Sequence, residues 1–251
     1  MIDTIFFDIG NTLRVVVRDR EFSEAAEAEL MRLAGTSEEH DVFFAKLKAN
    51  WDRYRKAAKG GALEASEMEL WSQHLLPDYP TEHICAVAGR LTRLWRDHDG
   101  RRVARRDVKP TLEELARRGY TMGIIANTIT ETEIPDWMVE DGVAHYFKTV
   151  ILSSKVRLRK PDPAIYDLAC RAIGKPPENC AYIGDNPIRD VEGTRAAGWA
   201  MMVRIDEPDT IKNEPQEITS RADHTIAEIS ELLGIFPPLA NRRGGVHGKG
   251  L

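Results

Sequence analysis

Cysteine is scarce in this chain: three residues in 251, Cys85, Cys170 and Cys180. An odd count without metal-ligand spacing excludes a disulfide framework and a zinc site, and it fits a reducing cytoplasm. Long apolar runs are also missing. No segment approaches the ~20 apolar residues that a membrane helix needs. The N-terminus, MIDTIFFDIGNTL, has an acid at position 3 and an apolar run broken by Asp8, so it lacks the basic start and long apolar stretch of a signal peptide. Nor is there an excess of positive charge. The 35 Lys and Arg against 40 Asp and Glu leave a formal net charge of −5, which offers no overall field to nucleic acid or anionic lipid. Gly and Pro, at 18 and 13, are too few for a collagen-like or low-complexity chain.

What remains is ordinary globular usage, 42% hydrophobic and 30% charged, at a length that suits one or two domains. The first apolar burst, Ile5 to Phe7, is short and β-favouring and stops at Asp8, Gly10 and Asn11, which reads as a buried strand ending in a loop. From about residue 18 to 99 the period becomes helical: Leu30 with Leu33, then Phe43, Leu47, Trp51 and Tyr54, then Ile84, Val87, Leu91 and Trp95. This predicts an all-helical unit inserted after the first strand. Strands and helices alternate beyond the basic stretch Arg101–Arg106, with strands at 121–125, 149–152, 181–183, 200–203 and 224–226 and helices at 111–118, 163–173, 190–197 and 227–233. The expected fold is α/β, with a Rossmann-like parallel-sheet core at 1–17 and 100–235 and a helical cap at 18–99. Residues 236–251, with Arg242, Arg243 and a run of glycines, read as a disordered tail.

Ligands of open parallel sheets bind beyond the carboxyl ends of strands. Asp8, Asn127 with Thr128, Ser153 with Ser154, and Asp185 all follow directly on predicted strands, and Lys160 opens the sequence KPDP before a helix. Two carboxylates at neighbouring strand tips and a lysine are what magnesium-assisted phosphoryl transfer requires, with hard oxygen ligands for the metal and a cation for the phosphate.

The segments FFDIGNTL, IIANT, SSKVRLRKPDP and GDNPIRD stand in the order and strand-tip positions of the haloacid dehalogenase-like hydrolase superfamily, and the chain resembles a phosphatase-type member of it. The resemblance implies Asp8 as the nucleophile that forms an aspartyl-phosphate. It implies Mg2+ held by Asp8, Asp185 and the Gly10 carbonyl, with Asp190 supporting the metal site or the lysine. Lys160 would hold the phosphate, and Asn127 and Thr128 would bind it. Two positions depart from the family pattern. The second aspartate that serves as general acid and base is replaced by Gly10, and the usual Ser or Thr before Asn127 is Ala126.

The expected function is therefore a magnesium-dependent hydrolase of a small phosphorylated metabolite, cytoplasmic, with no nucleic acid or membrane partner. Gly10 and Ala126 favour an alternative, a degenerate member that binds a phosphorylated ligand without turnover. A 2-haloacid dehalogenase, in which Asp8 attacks carbon, is disfavoured because Gly10 stands where a Tyr is often found and Asp185 keeps a magnesium ligand. Arg101, Arg102, Arg105 and Arg106 read as a solvated hinge between cap and core. The aromatic series Phe43, Trp51, Tyr54, Trp71 and Trp95 reads as the cap's own core.

Overall fold

The computed structural model describes residues 1–239 apart from Ala62 and Ile218. The chain opens with β1 (Thr4–Phe7) and β2 (Arg14–Val17), followed by α1 (Arg20–Ala34), α2 (His40–Gly61), α3 (Glu67–Glu69, running on as a π-helical turn to Leu75) and α4 (Thr81–Asp97). Then come β3 (Arg101–Ala104), α5 (Val108–Arg117), β4 (Thr121–Ala126), α6 (Glu133–Glu140), β5 (Phe147–Leu152), α7 (Ser153–Val156) and α8 (Pro163–Ile173). The last elements are β6 (Cys180–Gly184), α9 (Gly193–Ala196), β7 (Met201–Ile205), α10 (Pro208–Asn213), β8 (His224–Ile226) and α11 (Leu232–Ile235).

The expected α/β core is present. A six-stranded sheet runs in the order β5-β4-β1-β6-β7-β8, and every neighbouring pair in it is parallel. Alternation along each strand feeds two apolar layers. Ile5 and Phe7 face one side with Leu112, Ile124, Trp137 and Ile183, whereas Phe6 faces the other with Ile165, Tyr166, Tyr182 and Trp199. The winding reverses at β1, since the chain moves outward to β4 and β5 and then returns across β1 to β6. Such a reversal opens a crevice at the carboxyl edge of the sheet, and Asp8 stands there.

Helices α1 to α4 close on a separate apolar cluster that includes Leu30, Phe43, Leu47, Trp71, Ile84, Leu91 and Trp95. The aromatic series is the core of this helical unit, as expected, except that Trp51 lies at its edge. Among the described residues, no helix is long and apolar enough to cross a membrane.

Three features depart from the sequence expectation. The basic stretch Arg101–Arg106 is not a solvated hinge. Its first half is β3, antiparallel to β2 with Val17 opposite Arg101 and Arg14 opposite Ala104, so the two chain segments that lead into and out of the helical unit are bonded together. Arg102 is largely buried and its guanidinium lies 3.6 Å from Glu133, while Arg105 donates to the carbonyls of Thr12 and Asn11 at 3.0 and 2.9 Å. Helices α6, α7 and α10 occupy stretches for which no element was expected. The tail begins later than residue 236: Phe236 is 2% exposed against Tyr120, Tyr120 donates to the Pro237 carbonyl, and Leu239 donates to Arg118. Residues 240–251 lie outside the described residues.

Candidate active site

Register alone brings the strand-tip residues together. Phe7 is paired with Ile124 on one side and Ile183 on the other, so the next residues along, Asp8 and those after β4 and β6, share one edge. The Asp8 N–H donates to the Ile183 carbonyl at 2.9 Å, which ties the loop after β1 to β6. That loop turns through Asn11, whose φ of 60° is a left-handed conformation that Asn tolerates better than most side chains.

Lys160 is 2% exposed, and its ammonium has three partners: Asp8 Oδ1 at 2.9 Å, Asp190 Oδ1 at 2.7 Å and the Tyr182 hydroxyl at 2.6 Å. Tyr182 in turn donates to the Ile125 carbonyl at 2.7 Å. All three ammonium protons are thus used, in line with the rule that buried charge is tolerated only when paired and hydrogen-bonded. Burial alone would push this ammonium down, but Asp190 and Asp8 outweigh it and hold it above its usual value. Lys160 is therefore a fixed cation.

Asn127 fixes the backbone of the same lysine. Its amide donates to the Lys160 carbonyl and its side-chain oxygen accepts the Lys160 N–H, both at 2.9 Å. The Thr128 N–H donates to Ser153 Oγ at 2.8 Å, and Ser153 donates to Glu64 of the helical unit at 3.0 Å. Ser154 donates to the Thr130 carbonyl. The serines after β5 thus hold the loop after β4.

The two acids after β6 differ in surroundings. Asp190 accepts the Asn186 N–H on one oxygen and Lys160 on the other. Gly184 lets it lie there, since a Cβ at that position would meet the Asp190 carboxyl at 2.5 Å. Asp185 accepts Thr12 Oγ1 at 3.2 Å and is also bonded by the Thr210 hydroxyl. It has no cation of its own. Burial, and then the negative charges of Asp190 and Asp8, push its carboxyl up to about 7.

Asp8, Asp185 and Asp190 each offer an oxygen within 4.8 Å of the others. Three buried carboxylates against the Lys160 ammonium and the Arg189 guanidinium still leave an excess of negative charge, and the donor set is all hard oxygen, which suits a cation such as Mg2+. Among the described residues Asp8, Asp185 and Asp190 are the carboxylates that this cluster offers to such a cation. Tyr182, Thr12 and Thr210 carried no sequence signal, being a strand residue and two threonines among many.

The site opens into a cavity of about 500 Å³ between the sheet edge and the helical unit, lined by Asp8, Gly10, Asn127 and Thr128 below and Trp51, Tyr54 and Trp95 above. Residues 2–198 match the family model for haloacid dehalogenase-like hydrolases. The chain belongs to the haloacid dehalogenase-like hydrolases. A phosphoserine phosphatase of Thermus thermophilus is 30% identical over 225 residues, covering 77% of this chain and 85% of that protein. In structure, this hydrolase is similar to a 2-haloacid dehalogenase of Pseudomonas syringae at a TM-score of 0.68, with 21% identity over 94% of this chain and 98% of that one. A phosphatase of the same family from Thermococcus onnurineus superposes at a TM-score of 0.58, again at 21% identity, over 94% and 99% of the two chains. At that identity the structural likeness speaks for the fold.

Proposed function

We propose that this hydrolase is a magnesium-dependent phosphatase of a small phosphorylated metabolite, acting through an aspartyl-phosphate on Asp8. One observation carries the reading: the Lys160 ammonium, buried and locked by Asp190 and Tyr182, also bonds one oxygen of Asp8 at 2.9 Å at the floor of the cavity. Lys160 orients Asp8 and places positive charge where a phosphoryl group would sit. The other Asp8 oxygen attacks phosphorus, the ester P–O bond breaks, and the leaving oxygen departs to take a proton from solvent, since position 10 carries no acid. Water then cleaves the aspartyl-phosphate, which releases inorganic phosphate and regenerates Asp8. Bound magnesium would neutralise charge on the transferring group.

In this reading residues 1–17 and 100–235 are the catalytic core and 18–99 the cap. Asn127 serves by holding Lys160, and Thr128 by shaping the phosphate loop. Asp190 positions Lys160. Three free cysteines, two of them buried with sulfurs 4.0 Å apart in a hydrogen bond and without a disulfide, support a cytoplasmic setting. Gly10 favours a second reading, a phospho-ligand-binding protein without turnover. A phosphatase assay with and without magnesium, run beside Asp8→Asn, separates the two. Metal-dependent turnover lost in the variant supports the enzyme. Phosphate binding without turnover supports the binder, and metal-free halide release would favour the dehalogenase.

A further inference from the structure

The roof of the cavity carries a charge arrangement that the phosphoryl chemistry does not use. Arg55, on α2, is half-buried, lies over the Trp51 ring at 5.5 Å and makes no hydrogen bond or ion pair with the described residues. It feels the charge of two arginines of the sheet edge, Arg159 just before Lys160 and Arg189 just before Asp190, and all three line the same cavity as Asp8. Burial, together with the like charges of Arg189 and Arg159, pulls the Arg55 guanidinium below its ordinary value. Arg159 is paired with Glu64 and Arg189 with Glu214 at 3.3 Å, each through a single nitrogen. Neither leaves a sealed and unsatisfied nitrogen, and both residues line the cavity. Lys59, one turn beyond Arg55, also lacks an ion pair and feels the same three arginines. Arg189 also lies in the field of Asp190, Asp8 and Asp185, whereas Arg55 feels only Glu214 and Glu64 as opposing charges.

Convergent like charges repel unless an anion sits among them. The two paired arginines are explained by their glutamates, but Arg55 is not. It comes from the helical unit while the others come from the sheet edge, so an anion held by all three would bridge the two units. We propose that Arg55, Arg159 and Arg189 form a second anion subsite, and that the substrate is a phosphate monoester carrying a further anionic group, a carboxylate or a second phosphate, at the end remote from the transferred phosphoryl group. The inference rests on the phosphatase reading for which end is cleaved. Asp8 and the three arginines line one cavity of about 500 Å³.

The test compares 3-phosphonopropanoate and propane-1,3-bisphosphonate with propylphosphonate by calorimetry in magnesium-containing buffer. None of these can be hydrolysed, so the readout does not depend on turnover. Charged hydrogen bonds to a second anion predict binding about tenfold to a hundredfold tighter than propylphosphonate for at least one of the two probes, and which one responds distinguishes carboxylate from phosphate. In Arg55→Met the ratio falls below about threefold. Arg55 is the position to change because its loss strands no buried glutamate, and Arg55→Gln serves in its place should methionine disturb α2, with folding followed by melting curves. Equal affinities in the wild-type protein, or a ratio kept in the folded variant, overturn the subsite. Hydrolysis of p-nitrophenyl phosphate in the same preparations reports on the phosphatase reading separately. Its absence with the ratio intact sinks that reading alone, and its presence with a ratio of one sinks the subsite alone.

Discussion

Asn127 and Lys160, 33 residues apart, exchange a reciprocal pair of hydrogen bonds, amide to carbonyl and N–H to side-chain oxygen, each 2.9 Å long. The pair joins the end of β4 to the segment that carries the buried ammonium, so the position of Lys160 depends on a neutral side chain from another strand. Asn127→Ala leaves a peptide group of a largely buried residue without partners, a loss of about 1–3 kcal/mol. The expected result is a Tm lower by roughly 2–12 °C, at about 2–4 °C per kcal/mol for a protein of this size, and a fall in kcat larger than any change in magnesium affinity. Melting curves and metal titration of the variant check both.

Tyr182→Phe removes the hydroxyl that accepts from Lys160 and donates to Ile125. The ammonium proton is left unsatisfied in a fully buried position, again a loss of about 1–3 kcal/mol. The expected outcome is slower single-turnover phosphorylation with the Asp8 ion pair retained. A variant as stable and as fast as wild type would remove Tyr182 from the positioning of Lys160.

On the proposed reading, magnesium raises the Tm of the wild-type protein in a concentration-dependent way, because an ion held by the assembled carboxylates binds the folded and not the unfolded chain. Asp185 has no cation of its own and sits near Asp8 and Asp190, so Asp185→Asn relieves like-charge repulsion. We expect the metal-free variant to melt at or above the wild-type temperature and to lose most of the magnesium-induced rise. An undiminished rise would place the metal elsewhere.

A Cβ at Gly10 meets nothing within 4 Å, and the residue has no positive φ, so Gly10→Asp fits the loop without strain. A positioned general acid is worth about 10²–10⁴ in rate when the leaving group is a poor one. Gly10→Asp should therefore accelerate alkyl phosphates far more than aryl phosphates. The measurement is the dependence of single-turnover rate on leaving-group pKa in both proteins. A shallow wild-type slope would show that another group already supplies the proton.

Much of the core was legible in the sequence because its signals are local. Helix α8 runs from Pro163 to Ile173, as expected, since Asp162 caps it, Pro163 fits its first turn and Gly174 ends it at φ 72°. Strands β1, β4 and β6 are short apolar runs stopped by Asp8, Asn127 and Asp185, and their parallel pairing follows from the helices between them. Where each of those residues stands therefore needed only its neighbours. The β2–β3 ladder was not legible, because it joins segments separated by the whole helical unit and neither Arg14–Val17 nor Arg101–Ala104 alternates apolar with polar in a way that marks a buried strand. The same holds for the groups that tune the site. Tyr182, Thr12 and Thr210 reach Lys160 and Asp185 only after the sheet has set its register, and Arg55 meets Arg159 and Arg189 only once the helical unit has closed over the strand tips. Charge and hydrogen bonding act through space, so which side chains share a pocket was decided by tertiary structure, while residue type and spacing along the chain had already determined where Asp8, Lys160, Asp185 and Asp190 would stand.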